Sequence, residues 1–101
     1  MIRYIFNTSG NYIGFIQNNN LFNPNGEWLG FIFNGNQVYD VNNSLFVGYV
    51  SSDDRIVRNR IELPKLRPLR PLRPLRALRP LRPLRRLRMI RLPYPWLDVF
   101  E

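Results

Sequence analysis

Apolar residues in the first half of the chain form short runs that recur every 16 to 18 residues. The copies read IFNTSGNYIGFI (5–16), LFNPNGEWLGFI (21–32) and VYDVNNSLFVGYV (38–50), and IVRN (56–59) begins a fourth. In each complete copy, two runs of β-branched and aromatic residues flank a pair that favours a tight turn: Ser9-Gly10, Asn25-Gly26 or Asn42-Asn43. Each copy is therefore predicted to be an antiparallel β-hairpin. Further turn formers between the copies predict an all-β meander of tandem hairpins without helices.

Equivalent positions of the copies hold similar residues, which predicts a core that the copies share. A single hairpin is marginal in water, so several must bury a common apolar face. The aromatic columns could instead surround a ligand, but a shared core is the simpler use of large apolar residues in a repeat. Glycines at 14, 30 and 48 predict a bulge, a sharp bend or close packing around an axis. We expect the repeat core to include Phe6, Tyr12, Phe22, Trp28, Tyr39 and Phe46.

The fourth copy lacks a second strand, which leaves an edge at Ile56 and Val57 that another segment must cover. Residues 96–100, WLDVF, alternate as a short strand would. The C-terminus is therefore predicted to return and complete the fourth unit, in the same chain or in a neighbour. The predicted organisation is a hairpin-repeat domain at 1–61, an arm at 62–92 and a C-terminal closing segment at 93–101.

The arm, residues 62–92, repeats with a strict period of three. Its prolines would break an α-helix again and again, and a strand alternates with period two. Polyproline II has three residues per turn and accepts these prolines, so the pattern predicts an extended polyproline II arm in which like side chains stand about 9 Å apart. One edge of the arm, the leucine edge, is apolar and comprises Leu63, Leu66, Leu69, Leu72, Leu75, Leu78, Leu81, Leu84, Leu87 and Ile90.

The leucine edge is predicted to be an assembly surface, because the short domain cannot cover so long a row of apolar side chains. A disordered linker is the alternative, since proline and arginine are common in such segments. A linker, however, needs no leucine at every third position. A short helix over 84–92 is disfavoured because its apolar residues would scatter around the helix axis.

The arm also carries the positive charge of the chain. The formal net charge is +8, whereas in residues 1–60 four arginines balance four carboxylates. Because guanidinium groups pair well with phosphate, the arm has a second predicted role in anion binding. The candidate anion-binding residues are Arg67, Arg70, Arg73, Arg76, Arg79, Arg82, Arg85, Arg86, Arg88 and Arg91.

The absence of cysteine and histidine limits the kinds of catalytic and metal site that the chain could form. Without cysteine or histidine, the chain lacks the usual zinc ligands, thiol nucleophiles and the commonest general base. The adjacent carboxylates Asp53 and Asp54 have turn-forming neighbours, which favours a solvated turn over a metal site. We expect no enzyme activity, no catalytic residue, no metal and no cofactor. The sequence shows no signal peptide and no membrane-spanning run, which favours a cytoplasmic location.

The tandem motifs NTSGNYIGFI and NPNGEWLGFI are followed by a proline-containing triplet tract and the ending PYPWLDVFE. In these features the chain resembles the small bacterial family of 4-fold beta flower proteins, over most of its length. The resemblance implies a pseudo-fourfold all-β fold, and it implies no catalytic activity or site residues. In that family the triplet tract is typically rich in glycine, asparagine and proline, whereas here it is Leu-Arg-Pro. The arm alone is also similar in composition to proline- and arginine-rich antimicrobial peptides.

The sequence therefore favours a non-enzymatic structural protein whose leucine edges pack against other copies in a homo-oligomer or fibre. One alternative is nucleic-acid binding without sequence preference, although the arm has no aromatic residue to stack on bases. Another is binding to an anionic membrane surface or an acidic target. The Pro-Leu-Arg triplets also fit grooves that accept polyproline II ligands. No small-molecule substrate is expected.

Overall fold

The computed structural model describes residues 2–61, 68, 71, 73, 74 and 80–100. Within these residues the chain forms eight β-strands and no helix, so no helix there could cross a membrane. The strands are β1 (Arg3–Phe6), β2 (Tyr12–Gln17), β3 (Asn20–Phe22), β4 (Trp28–Phe33), β5 (Gln37–Asp40), β6 (Phe46–Val50), β7 (Ile56–Asn59) and β8 (Trp96–Asp98). They pair antiparallel in chain order from β1 to β8. The predicted all-β fold of tandem hairpins is confirmed.

Tight turns join the strands. Gly10 and Gly26 adopt positive φ in the first two hairpins, at 89° and 87°. In the third hairpin the positive φ lies at Ser44 rather than at the predicted pair Asn42-Asn43, because this turn is one residue longer. Asparagine and glycine tolerate the left-handed conformation, which explains why they recur between the hairpins as well. Those left-handed residues are Asn18, Asn19, Asn34 and Gly35.

The repeat columns meet in one apolar core. The first column of the four copies is at most 2% exposed and packs together as Ile5, Leu21, Val38 and Ile56. Burial of one such side chain contributes about 1.5–3 kcal/mol. A second column packs around the first and consists of Ile13, Leu29, Val47 and Val99. The C-terminal segment thus supplies the residue that the fourth copy lacks.

The predicted aromatic positions are buried to different extents. Phe6, Tyr12, Phe22 and Tyr39 are buried, whereas Trp28 and Phe46 are half-buried. Each copy has a glycine two residues after Tyr12, Trp28 or Phe46, at a point where the neighbouring unit comes close. A Cβ atom on Gly14, Gly30 or Gly48 would lie 2.3, 2.4 or 2.4 Å from a carbonyl oxygen of the next hairpin, that of Phe22, Tyr39 or Val57. Close packing between neighbouring units therefore explains the glycine column.

The last strand fills the place of the missing half hairpin. β8 pairs with β7 in the same chain, with Leu97 opposite Arg58. Beyond β8, the Val99 N–H donates to the Ile56 carbonyl at 3.0 Å. The C-terminal segment of the same chain therefore covers the edge of β7.

Candidate assembly surface on the arm

Burial along the described end of the arm repeats every three residues, although residues 80–93 form neither helix nor strand. Of the positions in register with Pro80, four are half-buried, namely Pro80, Pro83, Met89 and Leu92, whereas Arg86 is exposed. The leucine edge is exposed instead, with Leu81, Leu84, Leu87 and Ile90 at 90, 92, 91 and 87%. Next to it, an arginine edge is exposed at Arg82, Arg85, Arg88 and Arg91. The described end of the arm thus turns its proline-containing edge to the domain and its leucine and arginine edges to solvent.

Parts of both predicted edges lie outside the described residues. For the leucine edge these are Leu63, Leu66, Leu69, Leu72, Leu75 and Leu78. For the candidate anion-binding residues they are Arg67, Arg70, Arg76 and Arg79. Arg73 is described and is exposed.

Two backbone hydrogen bonds fasten the arm to the first hairpin turn. The Arg86 N–H donates to the Gly10 carbonyl at 3.0 Å, and the Met89 N–H donates to the Thr8 carbonyl at 2.8 Å. Both donors stand in the register that holds proline at 80 and 83. Because proline has no N–H, these two attachment points require the interruptions of the proline column at Arg86 and Met89.

Side chains complete this contact. Met89 packs against a buried aromatic cluster that includes Phe6 and Tyr12. The guanidinium of Arg86 lies 4.1 Å from the ring centroid of Phe6, within the range of a cation–π interaction. Arg82 lies over the ring of Tyr12 at 5.8 Å. The first hairpin therefore offers the arm an aromatic surface.

The turn between β6 and β7, which we call the clamp turn, comprises residues 51–55 and holds the arm with charge. Asp54 pairs with Arg3 at 2.7 Å and with Arg86 at 2.9 Å. The Asp54 carbonyl also accepts the Phe6 N–H at 2.8 Å. Asp54 thus contacts both β1 and the arm. In the described part of the chain, no group of three or more potential ligands is arranged to hold a metal ion.

Arginines keep both carboxylates of the clamp turn ionised. A hydrogen bond from Arg55 lowers the pKa of Asp53 below its ordinary value, against an opposing effect of burial. Burial alone would raise the pKa of Asp54, but hydrogen bonds from Arg3 and Arg86 outweigh it, and the pKa is lowered. Both aspartates are therefore negative at neutral pH and pair with these arginines as anions.

Arg55 is a site residue that sequence reasoning missed. It is only 7% exposed. Its guanidinium donates to the Ile90 carbonyl at 2.8 Å, to Thr8 Oγ1 at 3.1 Å and to Asp53 Oδ2 at 2.5 Å. Arg55 thereby links the clamp turn, the first hairpin and the arm. No repeat column signals this role, because the equivalent positions of the other copies hold Tyr4, Asn20 and Gln37.

Of the candidate anion-binding residues, Arg86 differs from the arginine edge, since it already pairs with Asp54. Arg82 and Arg85 contact neutral groups, the Tyr12 ring and the Ser9 carbonyl, the latter at 3.2 Å. Their charges are therefore uncompensated within these contacts.

A family model described as 4-fold beta flower protein matches residues 3–95, which span seven of the eight strands and the whole arm. The chain belongs to the 4-fold beta flower family. No curated protein and no solved structure matches it. Membership of the beta flower family agrees with the sheet of paired hairpins described above.

Proposed function

We propose that this beta flower protein is a non-enzymatic structural protein that assembles through its arm. The hairpin domain anchors one edge of the arm, and the leucine edge packs against the leucine edges of other copies in an oligomer or fibre. The observation that supports the proposal is exposure: Leu81, Leu84, Leu87 and Ile90 are each at least 87% exposed while the neighbouring Met89 is held against the domain.

Another copy is the partner that fits this edge. The edge is one residue wide, and its spacing of about 9 Å in a polyproline II arm is matched by the same edge of a second arm. Each apolar side chain that becomes well buried contributes about 1.5–3 kcal/mol. A row of such contacts is enough to offset the cost of association, which is estimated at about 4–15 kcal/mol.

Light scattering and negative-stain imaging of nuclease-treated protein, at low and at high salt, test this proposal. At high salt, which screens the like charges of neighbouring arms, the wild type should form large regular particles, because apolar contacts are not screened. Serine at positions 81, 84, 87 and 90 should yield a monomer. Methionine at the same four positions keeps the apolar edge and serves as the matched control. A wild type that stays monomeric under all conditions, or serine variants that assemble normally, would refute leucine-edge assembly.

A further inference from the structure

We propose that the arginine edge binds a linear chain of phosphate groups and that this anion enables the leucine edges to meet. The inference rests on the proposed function, because the anion acts on the same assembly. In the described end of the arm, each exposed apolar side chain of the leucine edge is followed directly in sequence by an exposed arginine. The pairs are Leu81-Arg82, Leu84-Arg85, Leu87-Arg88 and Ile90-Arg91.

Any second copy that covers the leucine edge brings its own arginines with it. Two rows of guanidinium groups then run side by side, and like charges at short range oppose association. Assembly through apolar contacts therefore requires that the charge of the arginine edge be balanced.

The protein's own nearby carboxylates are already engaged. Asp54 pairs with Arg3 and Arg86, and Asp53 pairs with Arg55. Asp98 accepts the Thr8 N–H at 3.2 Å. Within residues 2–61 and 80–100, no carboxylate lies within ion-pairing distance of the arginine edge. Because the described carboxylates do not balance the arginine edge, we infer that an anion from another molecule does so.

A chain of phosphates fits the chemistry of the arginine edge. Guanidinium groups bind phosphate oxygens in a bidentate manner, and linked phosphates gain affinity from multivalency that free phosphate lacks. The described arm exposes no aromatic side chain between residues 80 and 92, so it offers no platform for stacking bases. The edge therefore recognises the phosphates rather than any bases attached to them.

Particle size in light scattering at low ionic strength tests the inference on nuclease-treated full-length protein. Samples receive no anion, inorganic monophosphate, inorganic polyphosphate or oligothymidylate DNA at equal phosphate concentration. Large particles should appear with polyphosphate, and growth with DNA as well would identify nucleic acid as a second source of the same chemistry. Monophosphate should have no effect. Large particles without any anion, or with DNA alone, would overturn the inference.

Variants that remove equal charge distinguish a phosphate site on the arginine edge from non-specific attraction of anions to a positively charged protein. Arg88→Gln/Arg91→Gln and Arg58→Gln/Arg60→Gln each remove two exposed positive charges, but only the first pair lies on the arginine edge. The first variant should lower the salt slope of oligothymidylate binding by about 1.4, since each phosphate contact contributes about 0.7. The second should keep the wild-type slope. Equal slopes for the two variants would refute the site.

The leucine edge variant distinguishes the two proposals. With serine at 81, 84, 87 and 90, polyphosphate should bind with wild-type affinity while the particles stay small. If this variant grows like the wild type, leucine-edge assembly fails and the phosphate site stands. If the wild type forms large particles at low ionic strength without added anion, the phosphate requirement fails and leucine-edge assembly stands.

Discussion

A Cβ atom on Gly10 would lie 2.0 Å from the carbonyl oxygen of Arg86. The first hairpin turn and the arm therefore meet backbone to backbone, at a distance that a side chain on residue 10 would prevent. The Arg86 N–H donates to the Gly10 carbonyl at 3.0 Å in the same contact. Attachment of the arm thus depends on a glycine in the first repeat.

Gly10→Ala should detach this part of the arm and destabilise the protein. The substitution combines the cost of a non-glycine residue at positive φ, about 1–2 kcal/mol, with a clash against backbone that cannot move aside cheaply. Thermal unfolding should show the loss of stability, and limited trypsin digestion should cut faster after Arg85 and Arg86.

Gly35→Ala is the matched control for this change. Gly35 has nearly the same φ, 85° against 89°, but nothing lies within 4 Å of its missing Cβ. Gly35→Ala should therefore show only the stability loss that a non-glycine residue at positive φ causes, and it should leave trypsin cleavage of the arm unchanged. Equal effects of the two substitutions would contradict the backbone contact.

Arg86→Pro should weaken the arm's attachment even though it restores the Leu-Arg-Pro triplet. Proline cannot donate to the Gly10 carbonyl, and the loss of such a hydrogen bond costs about 0.5–1.5 kcal/mol. Arg86→Ala removes the ion pair with Asp54 but retains the N–H. The difference between the two variants therefore isolates the contribution of the hydrogen bond from the Arg86 N–H. Hydrogen exchange at the Met89 amide should accelerate more in the proline variant. Identical exchange in both variants would show that the Arg86 N–H does not hold the arm.

Repetition made most of the fold predictable. Ile5, Leu21 and Val38 recur at nearly constant spacing, so their convergence in one core follows from the need of single hairpins to share an apolar face. The longer third turn moved its left-handed residue to Ser44, because an inserted residue changes turn geometry in a way that a turn pair alone does not specify.

The docking of the arm was harder to predict. Period three defines the edges of an extended arm, but apolar content alone would place leucine rather than proline against the domain. The choice depends on the N–H groups of Arg86 and Met89, which appear in the sequence only as breaks in the proline column. The buried guanidinium of Arg55 needs hydrogen-bond acceptors that come from distant parts of the chain, Thr8 and Ile90. The sequence around Arg55 does not indicate these partners.

Leu87→Ala and Met89→Ala should affect different properties, although the residues are two positions apart. Met89 packs against the buried aromatic cluster, so its truncation should cost about 1–2 kcal/mol of unfolding free energy. Leu87 is 91% exposed, and its truncation should leave stability unchanged while particle size falls. Urea unfolding and light scattering on the same samples measure the two effects. A stability loss for Leu87→Ala as large as that for Met89→Ala would contradict the assignment of edges.

The clamp turn should make the protein sensitive to acid. The pKa of Asp54 is lowered in the folded state, because its hydrogen bonds with Arg3 and Arg86 outweigh the effect of burial. The ionised carboxylate therefore contributes stability above its unfolded pKa, near 3.9, and the contribution disappears as pH falls through the folded pKa. Urea unfolding at successive pH values below about 5 should show this loss in the wild type.

Asp54→Asn identifies the group responsible. It should lower the unfolding free energy at pH 7 by about 1 kcal/mol or less, as expected for partly exposed pairs, and flatten the decline at acid pH. Glu27→Gln also removes one carboxylate, from the exposed turn of the second hairpin. The unfolding free energy of this variant should fall at acid pH as steeply as that of the wild type. If Asp54→Asn declines as steeply as the wild type, the acid sensitivity arises elsewhere, and Asp54 does not hold β1 and the arm together through its charge.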